Sequence, residues 1–287
     1  MNEKIAFIGF GEAGQTISRG LLGESRPGIR AYDLQFDSGN LKGAAEALGV
    51  GVARDHADAV RGADIVFLAV TASSSLEAAR SCLPGLKKDQ LFLDINSVSP
   101  QRKIDTAALV TPTGAQYVDV AVMGAVAPYL HKVPCLVGGP GAEAFVPLAR
   151  ALGMQVEFVS AQVGQASAIK MFRSIMIKGL EALFLESMLA ASEYGVEARV
   201  LASLKETYPT LDWEKLSGYM IERVVSHGRR RAAEMREVAA TLEEIGLAPL
   251  MARATAERQQ WLADLDVHVK TEDRAVLVRA IRAAMAK

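Results

Sequence analysis

Runs rich in β-branched and aromatic residues recur through the first half of the chain, at Lys4–Ile8, Ile29–Tyr32, Gly51–Ala53, Asp64–Val70, Leu91–Ile95, Tyr117–Val122, Pro134–Val137 and Gln155–Val159. Segments of helical spacing separate them, and that alternation predicts a doubly wound, mostly parallel sheet with crossover helices. After Gln162 the strand signals stop, and Gly164–Tyr194 carries helix formers with almost no breaker. Further helices are expected at about Ala198–Thr207, Asp212–Ser226, Arg229–Ile245, Ala248–Leu265 and Glu272–Ala286. Pro209, Gly228, Gly246–Pro249 and the Asp264–Lys270 segment are read as the breaks between them. The pattern predicts an α/β domain over 1–161, ending near Ala161, and an all-helical domain over 162–287. It contains no internal repeat and no low-complexity segment.

Composition narrows the class. A chain of 287 residues, 50% hydrophobic and 23% charged, is large enough to bury two cores. Its 32 basic residues nearly balance 33 acidic ones, and a net charge of −1 argues against nucleic acid or an anionic membrane as partner. No uninterrupted apolar stretch reaches the ~20 residues a spanning helix needs, and the apolar run at Ile5 comes too early for a charged leader, so a cytoplasmic protein is expected. Cys82 and Cys135 lack metal-ligand spacing and read as buried small apolar residues, with neither a disulfide nor a metal site expected.

The first chemistry lies in the opening strand and the turn after it. Lys4–Ile8 leads into Gly9-Phe10-Gly11-Glu12-Ala13-Gly14, and a helix carrying Ile17 and Leu21 follows. Gly9 permits the strand-to-helix turn, Gly11 lets the backbone approach a pyrophosphate, and Gly14 lets the helix pack close to the strand. The pyrophosphate would rest on free N–H groups at the positive helix end. The context required of this motif is present: a strand before it, and Asp33, nineteen residues beyond Gly14, closing the next strand. These features predict a Rossmann domain that binds NAD(P). A carboxylate at Asp33 would hydrogen-bond the adenosine ribose and repel a 2′-phosphate, which favours NAD over NADP, with Asp37 a nearby competitor for that role.

Four segments together resemble the β-hydroxyacid dehydrogenase and 6-phosphogluconate dehydrogenase superfamily. They are the glycine turn, Asp94-Ile-Asn-Ser-Val-Ser-Pro100, Asp119-Val-Ala-Val-Met-Gly-Ala125, and Gly164-x-Ala166-x-x-x-Lys170. The helical half, above all His227–Glu237, resembles the subgroup with a 6-phosphogluconate dehydrogenase-like C-terminal domain of unassigned function. The resemblance implies an oxidoreductase that moves a hydride between nicotinamide and a secondary alcohol or carbonyl, with Lys170 as general acid and base. That chemistry is self-consistent, because a carbonyl receiving hydride needs a proton at its oxygen and a partly buried lysine can deliver one. The resemblance also places Val70, Thr71, Asn96 and Ser97 at the cofactor, Ser97 at the substrate as well, and Asp94 and Pro100 as turn-formers.

The chain departs from the family where relatives read their substrates. Ser174 stands one turn after Lys170, where the family has an asparagine that orients the lysine, and Arg173 replaces a second asparagine. Met123 replaces the serine that, with the following backbone, cradles a substrate carboxylate, leaving Gly124 and Ala125 and suggesting a bulkier or less polar substrate. Met123 packing beneath its loop is the alternative. A basic segment, with His227, Arg229, Arg230, Arg231 and Arg236, is expected near a helix start, where it opposes the macrodipole and needs anions. An ion-pair face, solvated or between subunits, and a substrate anion site both remain open for it. His56, His131 and His268 read as surface or loop histidines. An imine reductase on the same scaffold and a non-catalytic NAD(P)H-binding protein stay open as alternatives, Lys170 counting against the first. A continuous Gly164–Tyr194 helix would run about 45 Å and is apolar on several faces, so a homodimer through the helical half is expected.

Overall fold

The computed structural model describes residues 3–286 and divides the chain into two compact units, Met1–Lys170 and Met171–Lys287. In the first unit, strands β1 (Lys4–Ile8), β2 (Gly28–Tyr32), β3 (Gly51–Val52), β4 (Ile65–Leu68), β5 (Leu91–Asp94), β6 (Gln116–Val122), β7 (Cys135–Gly138) and β8 (Val156–Ser160) form one sheet. Its order is β3-β2-β1-β4-β5-β6-β7-β8. Every pairing is parallel except β6 with β7, so β7 and β8 begin at the edge where the earlier strands end. Helices α1 (Glu12–Glu24), α2 (Leu41–Ala47), α3 (His56–Val60), α4 (Ser75–Cys82), α5 (Pro100–Val110), α6 (Val126–Tyr129) and α7 (Ala142–Ala151) connect them. Strands β4 and β5 are buried at every position, as a sheet covered on both faces requires. Period-2 alternation then sends Phe7, Phe67 and Leu93 into one apolar cluster and Ile8, Leu68 and Phe92 into another on the opposite face.

Helix α8 (Gln165–Tyr194) begins in the first unit and continues into the second, which also holds α9 (Glu197–Thr207), α10 (Trp213–Glu244), α11 (Leu250–Asp264) and α12 (Arg274–Met285). The expected break at Gly228 does not occur, and α10 runs unbroken through it. Gly228 is buried, and a Cβ there would stand 2.8 Å from the carbonyl oxygen of Gln259 in α11. The glycine is a point of close helix approach, and its cost within a helix, about 1 kcal/mol, is set against that packing.

The basic segment is corrected with it. These residues lie mid-helix, away from either macrodipole end, and are met by side chains. Arg230 pairs with Glu234 at 2.6 Å, Arg231 with Glu181 at 3.1 Å and Arg229 with Asp264 at 3.6 Å, while Arg236 donates to Gln260 at 3.0 Å. His131 is also corrected. It is buried in the first unit with Nε2 3.3 Å from Glu24, in a space left by Gly20, and burial pushes its pKa down. His56 is half-buried, edge-on to Tyr32, and His268 is exposed beside Asp266.

Candidate functional site

The turn after β1 is shaped for a phosphate group. Gly9 has φ +89° and donates its N–H to the Tyr32 carbonyl at 2.9 Å, and a side chain there would collide with the Ala69 carbonyl. Gly14 sits so close beneath the turn that a Cβ would lie 2.6 Å from the Gly9 oxygen. Gly11 is the opposite case: its Cβ would meet nothing within 4 Å, and no side chain caps the start of α1. A helix N-terminus with an open approach is what a pyrophosphate needs, so these residues fit a dinucleotide. Phe10 is wholly buried and packs edge-on to Phe36, Ala13 is half-buried and Glu12 is exposed.

Asp33 is tied to that turn. One carboxylate oxygen accepts the Phe10 N–H at 2.7 Å and the other accepts the Gln35 N–H at 2.9 Å. Each oxygen keeps a lone pair for a ribose diol. Asp37, the competitor, is exposed. Val70 and Thr71 follow β4, the neighbour of β1, and the strand order reverses between these two strands, where open α/β sheets bind ligands.

The turn after β5 rests on Asp94, which is wholly buried. Its Oδ1 accepts both the backbone N–H (3.0 Å) and the side-chain amide (2.8 Å) of Asn96, and its Oδ2 accepts the Tyr117 hydroxyl at 2.8 Å. Burial, with Asp94 beside it, holds the Tyr117 phenol well above its ordinary range. Asn96 Oδ1 is buried without a hydrogen-bond partner among the described residues, an acceptor available to a donor group of a ligand, and Ser97 beside it is exposed. After β6, Met123 is half-buried and donates its N–H to the Pro134 carbonyl at 2.8 Å. It lines a cleft of about 380 Å³ with Pro134, Cys135, Arg150 and Met154, while Gly124 and Ala125 are exposed.

Lys170 lies half-buried in the first turns of α8. Burial pushes the Cys135 thiol, at the start of β7, up to about 12, with the Lys170 charge opposing that rise. Asp119 fixes that end of α8: Oδ2 accepts the Gly164 and Ser167 N–H groups, each at 3.1 Å, and Oδ1 accepts the Ser167 hydroxyl at 2.5 Å. One sheet edge thus carries the glycine turn, Asp33, Val70–Thr71, Asn96–Ser97, Met123–Ala125 and Lys170. Arg173 and Ser174 belong to the second unit. Arg173 is exposed, and the buried Ser174 hydroxyl accepts from Lys178 Nζ at 3.0 Å.

Two lysines that no sequence motif marks are buried. Lys103 is fully buried in α5, with Nζ 2.6 Å from the Asp94 carbonyl, 3.0 Å from its Oδ1 and 3.7 Å from Asp119 Oδ1. Its signal was available: it occupies the apolar stripe of α5 with Thr106, Ala107 and Val110. Lys178, paired with Glu234 at 3.0 Å, has its pKa lowered by burial.

A family profile described as the NAD binding domain of 6-phosphogluconate dehydrogenase matches residues 4–158. The chain belongs to this family. A second profile, a domain of unknown function, matches residues 191–262. A conserved hypothetical protein from Sinorhizobium meliloti superposes with a TM-score of 0.85 at 38% identity, over 99% of this chain and 97% of that one. An uncharacterized 28.5 kDa protein from Methanothermus fervidus is 30% identical over 88% of this chain and 96% of its own length. The NAD-dependent L-serine dehydrogenase of Pseudomonas aeruginosa is 27% identical over 74% of this chain and 72% of its own. The family's nicotinamide-cofactor domain is therefore the unit that carries the glycine turn, Asp33 and the loops after β4 and β5.

Proposed function

We propose that this chain is an NAD-dependent dehydrogenase or reductase interconverting a secondary alcohol, of the 3-hydroxy acid type or bulkier, with its carbonyl. The observation that carries the reading is the Asp119 clamp on Gly164 and Ser167, which fixes the end of α8 bearing Lys170 at the sheet edge that also bears the dinucleotide turn. A nicotinamide held by these loops would supply or take up the hydride at the carbinol carbon. Lys170 Nζ gives a proton to the carbonyl oxygen in reduction and takes it back in oxidation. The backbone of Gly9–Gly14 holds the pyrophosphate, Asp33 binds the ribose diol and disfavours a 2′-phosphate, and Val70, Thr71, Asn96 and Ser97 line the cofactor. Ser97, Met123, Gly124, Ala125, Arg173 and Ser174 are the proposed substrate contacts, with Met123 supplying an apolar wall. The L-serine dehydrogenase relative, by its name, supports a 3-hydroxy acid, one whose hydroxyl is primary rather than secondary. Lys170 speaks against an imine reductase and against a purely structural cofactor site.

We propose further that two copies associate along α8. Ile169, Phe172, Met176 and Leu183 fall on one stripe of the helix at spacings of three, four and seven and are all exposed. Among the described residues no helix is long and apolar enough to cross a membrane. The test is titration with NADH and NADPH, followed by NAD⁺ reduction across a panel of 3-hydroxy acids and bulkier secondary alcohols. Tighter NADH binding and turnover of at least one alcohol are expected. Tighter NADPH binding reverses the cofactor assignment, and a silent panel removes the reaction.

A further inference from the structure

Three full charges, Asp94, Lys103 and Asp119, are completely buried together in the first unit. Burying ions is costly, and replacing such groups with well-packed apolar side chains is often neutral or stabilising, so stability alone gives little reason for them. Their partners suggest another reason. Asp94 holds the backbone and side chain of Asn96, Asp119 holds the backbone of Gly164 and Ser167, and Lys103 spans the two carboxylates while also binding the Asp94 carbonyl. Asp94 and Asp119 are register partners across β5 and β6. Like charges on such neighbours repel, and the Lys103 ammonium, within ion-pair distance of both carboxylates, offsets that repulsion. The Asp119 clamp has two attachments on Ser167, N–H and hydroxyl, and so sets the rotation of α8 as well as its position. Lys170 lies three residues further, on nearly the same face.

We propose that Lys103 is a positioning residue, whose ammonium locks the turn after β5 to the start of α8 and thereby sets where Lys170 projects relative to Asn96. Lys103 is fully buried, so the role assigned to it runs through Asp94 and Asp119. This rests on the acid and base role proposed for Lys170, and its consequence for rate follows from how steeply turnover depends on placement: a displacement of about 1 Å can cost a hundredfold.

The test compares Lys103→Met with the charge-balanced Lys103→Met/Asp94→Asn double variant, because the single variant leaves two buried carboxylates facing each other and can fail to fold. Asparagine at 94 still accepts the Asn96 N–H, and the double variant has the net buried charge of the unmodified protein. Two readouts are taken. One is turnover of an alcohol identified in the panel, alongside NADH affinity. The other is the pH titration of the Lys170 amine, followed by NMR after ¹³C reductive methylation and assigned with Lys170→Arg, which requires no substrate. We expect the double variant to regain the thermal midpoint and NADH affinity while turnover stays at least about tenfold down and the Lys170 midpoint moves, by about half a pH unit or more. A folded double variant with turnover within about threefold and an unmoved Lys170 titration overturns the proposal. If the panel gives no turnover with the unmodified protein, the reaction assignment fails by itself, and the Lys170 titration alone decides: a moved midpoint supports the positioning role and an unmoved one overturns it.

Discussion

Each unit buries a group of charges, and the two groups are satisfied in different ways. In the first, Asp94, Lys103 and Asp119 each bind main-chain groups, those of Asn96, Asp94, Gly164 and Ser167, as well as side chains. In the second, ion pairs link side chains across helices: Lys178 with Glu234, and Glu181 with Arg231, with Gln259 of α11 donating to the Lys178 carbonyl at 3.2 Å. Charges that hold main chain fix loops, and those loops carry the proposed cofactor and substrate contacts. Charges that hold one another fix only how helices pack. An apolar replacement could fill the second role but not the first, since it would leave the N–H groups of Asn96, Gly164 and Ser167 without acceptors.

Breaking the second group should give the largest effect on stability. Glu181 is 1% exposed, and Glu181→Ala strands the Arg231 guanidinium, a loss of about 3–5 kcal/mol in denaturant unfolding. Glu181→Leu with Arg231→Met should recover most of it. If the double replacement is as damaging as the single one, the two groups are not different in kind. Gly228→Ala comes next: the helix gains about 1 kcal/mol in propensity, but the Cβ meets the Gln259 carbonyl, so a net loss of about 1–3 kcal/mol is expected. A stabilised variant would show that α10 and α11 can separate at this point.

The smallest effect is a slope. Burial lowers the Lys178 pKa below 10.5, so between its folded value and 10.5 the unfolded chain holds a proton that the folded chain has lost. Stability gained from this group therefore rises with pH across that interval. Lys178→Met should flatten that rise in pH-dependent unfolding, and an unchanged slope would mean that Lys178 titrates alike in both states.

The same contrast explains what could be read in the sequence. Gly9 is there for a left-handed backbone at a strand end, a local need, and the turn around it was legible with Asp33 and the strands. Gly228 is there because α11 passes close by, and nothing local distinguishes that glycine from a helix stop. The segments containing Asp94 and Asp119 were legible as motifs. Lys103 is hard to pick out because it stands on a helix surface that looks ordinary until its apolar stripe is drawn, and its partners lie in strands distant in sequence. The bond that Ser174 accepts from Lys178, one turn further along, depends on burial that spacing does not reveal.

The central claim is that Lys170 moves the proton at the reacting oxygen, and one comparison tests it most directly: turnover and NADH affinity of the unmodified protein against Lys170→Ala, with an alcohol found in the panel. Turnover should fall by roughly two to four decades while NADH affinity stays within about twofold. Retained turnover in the folded variant, with NADH still bound, would contradict the account.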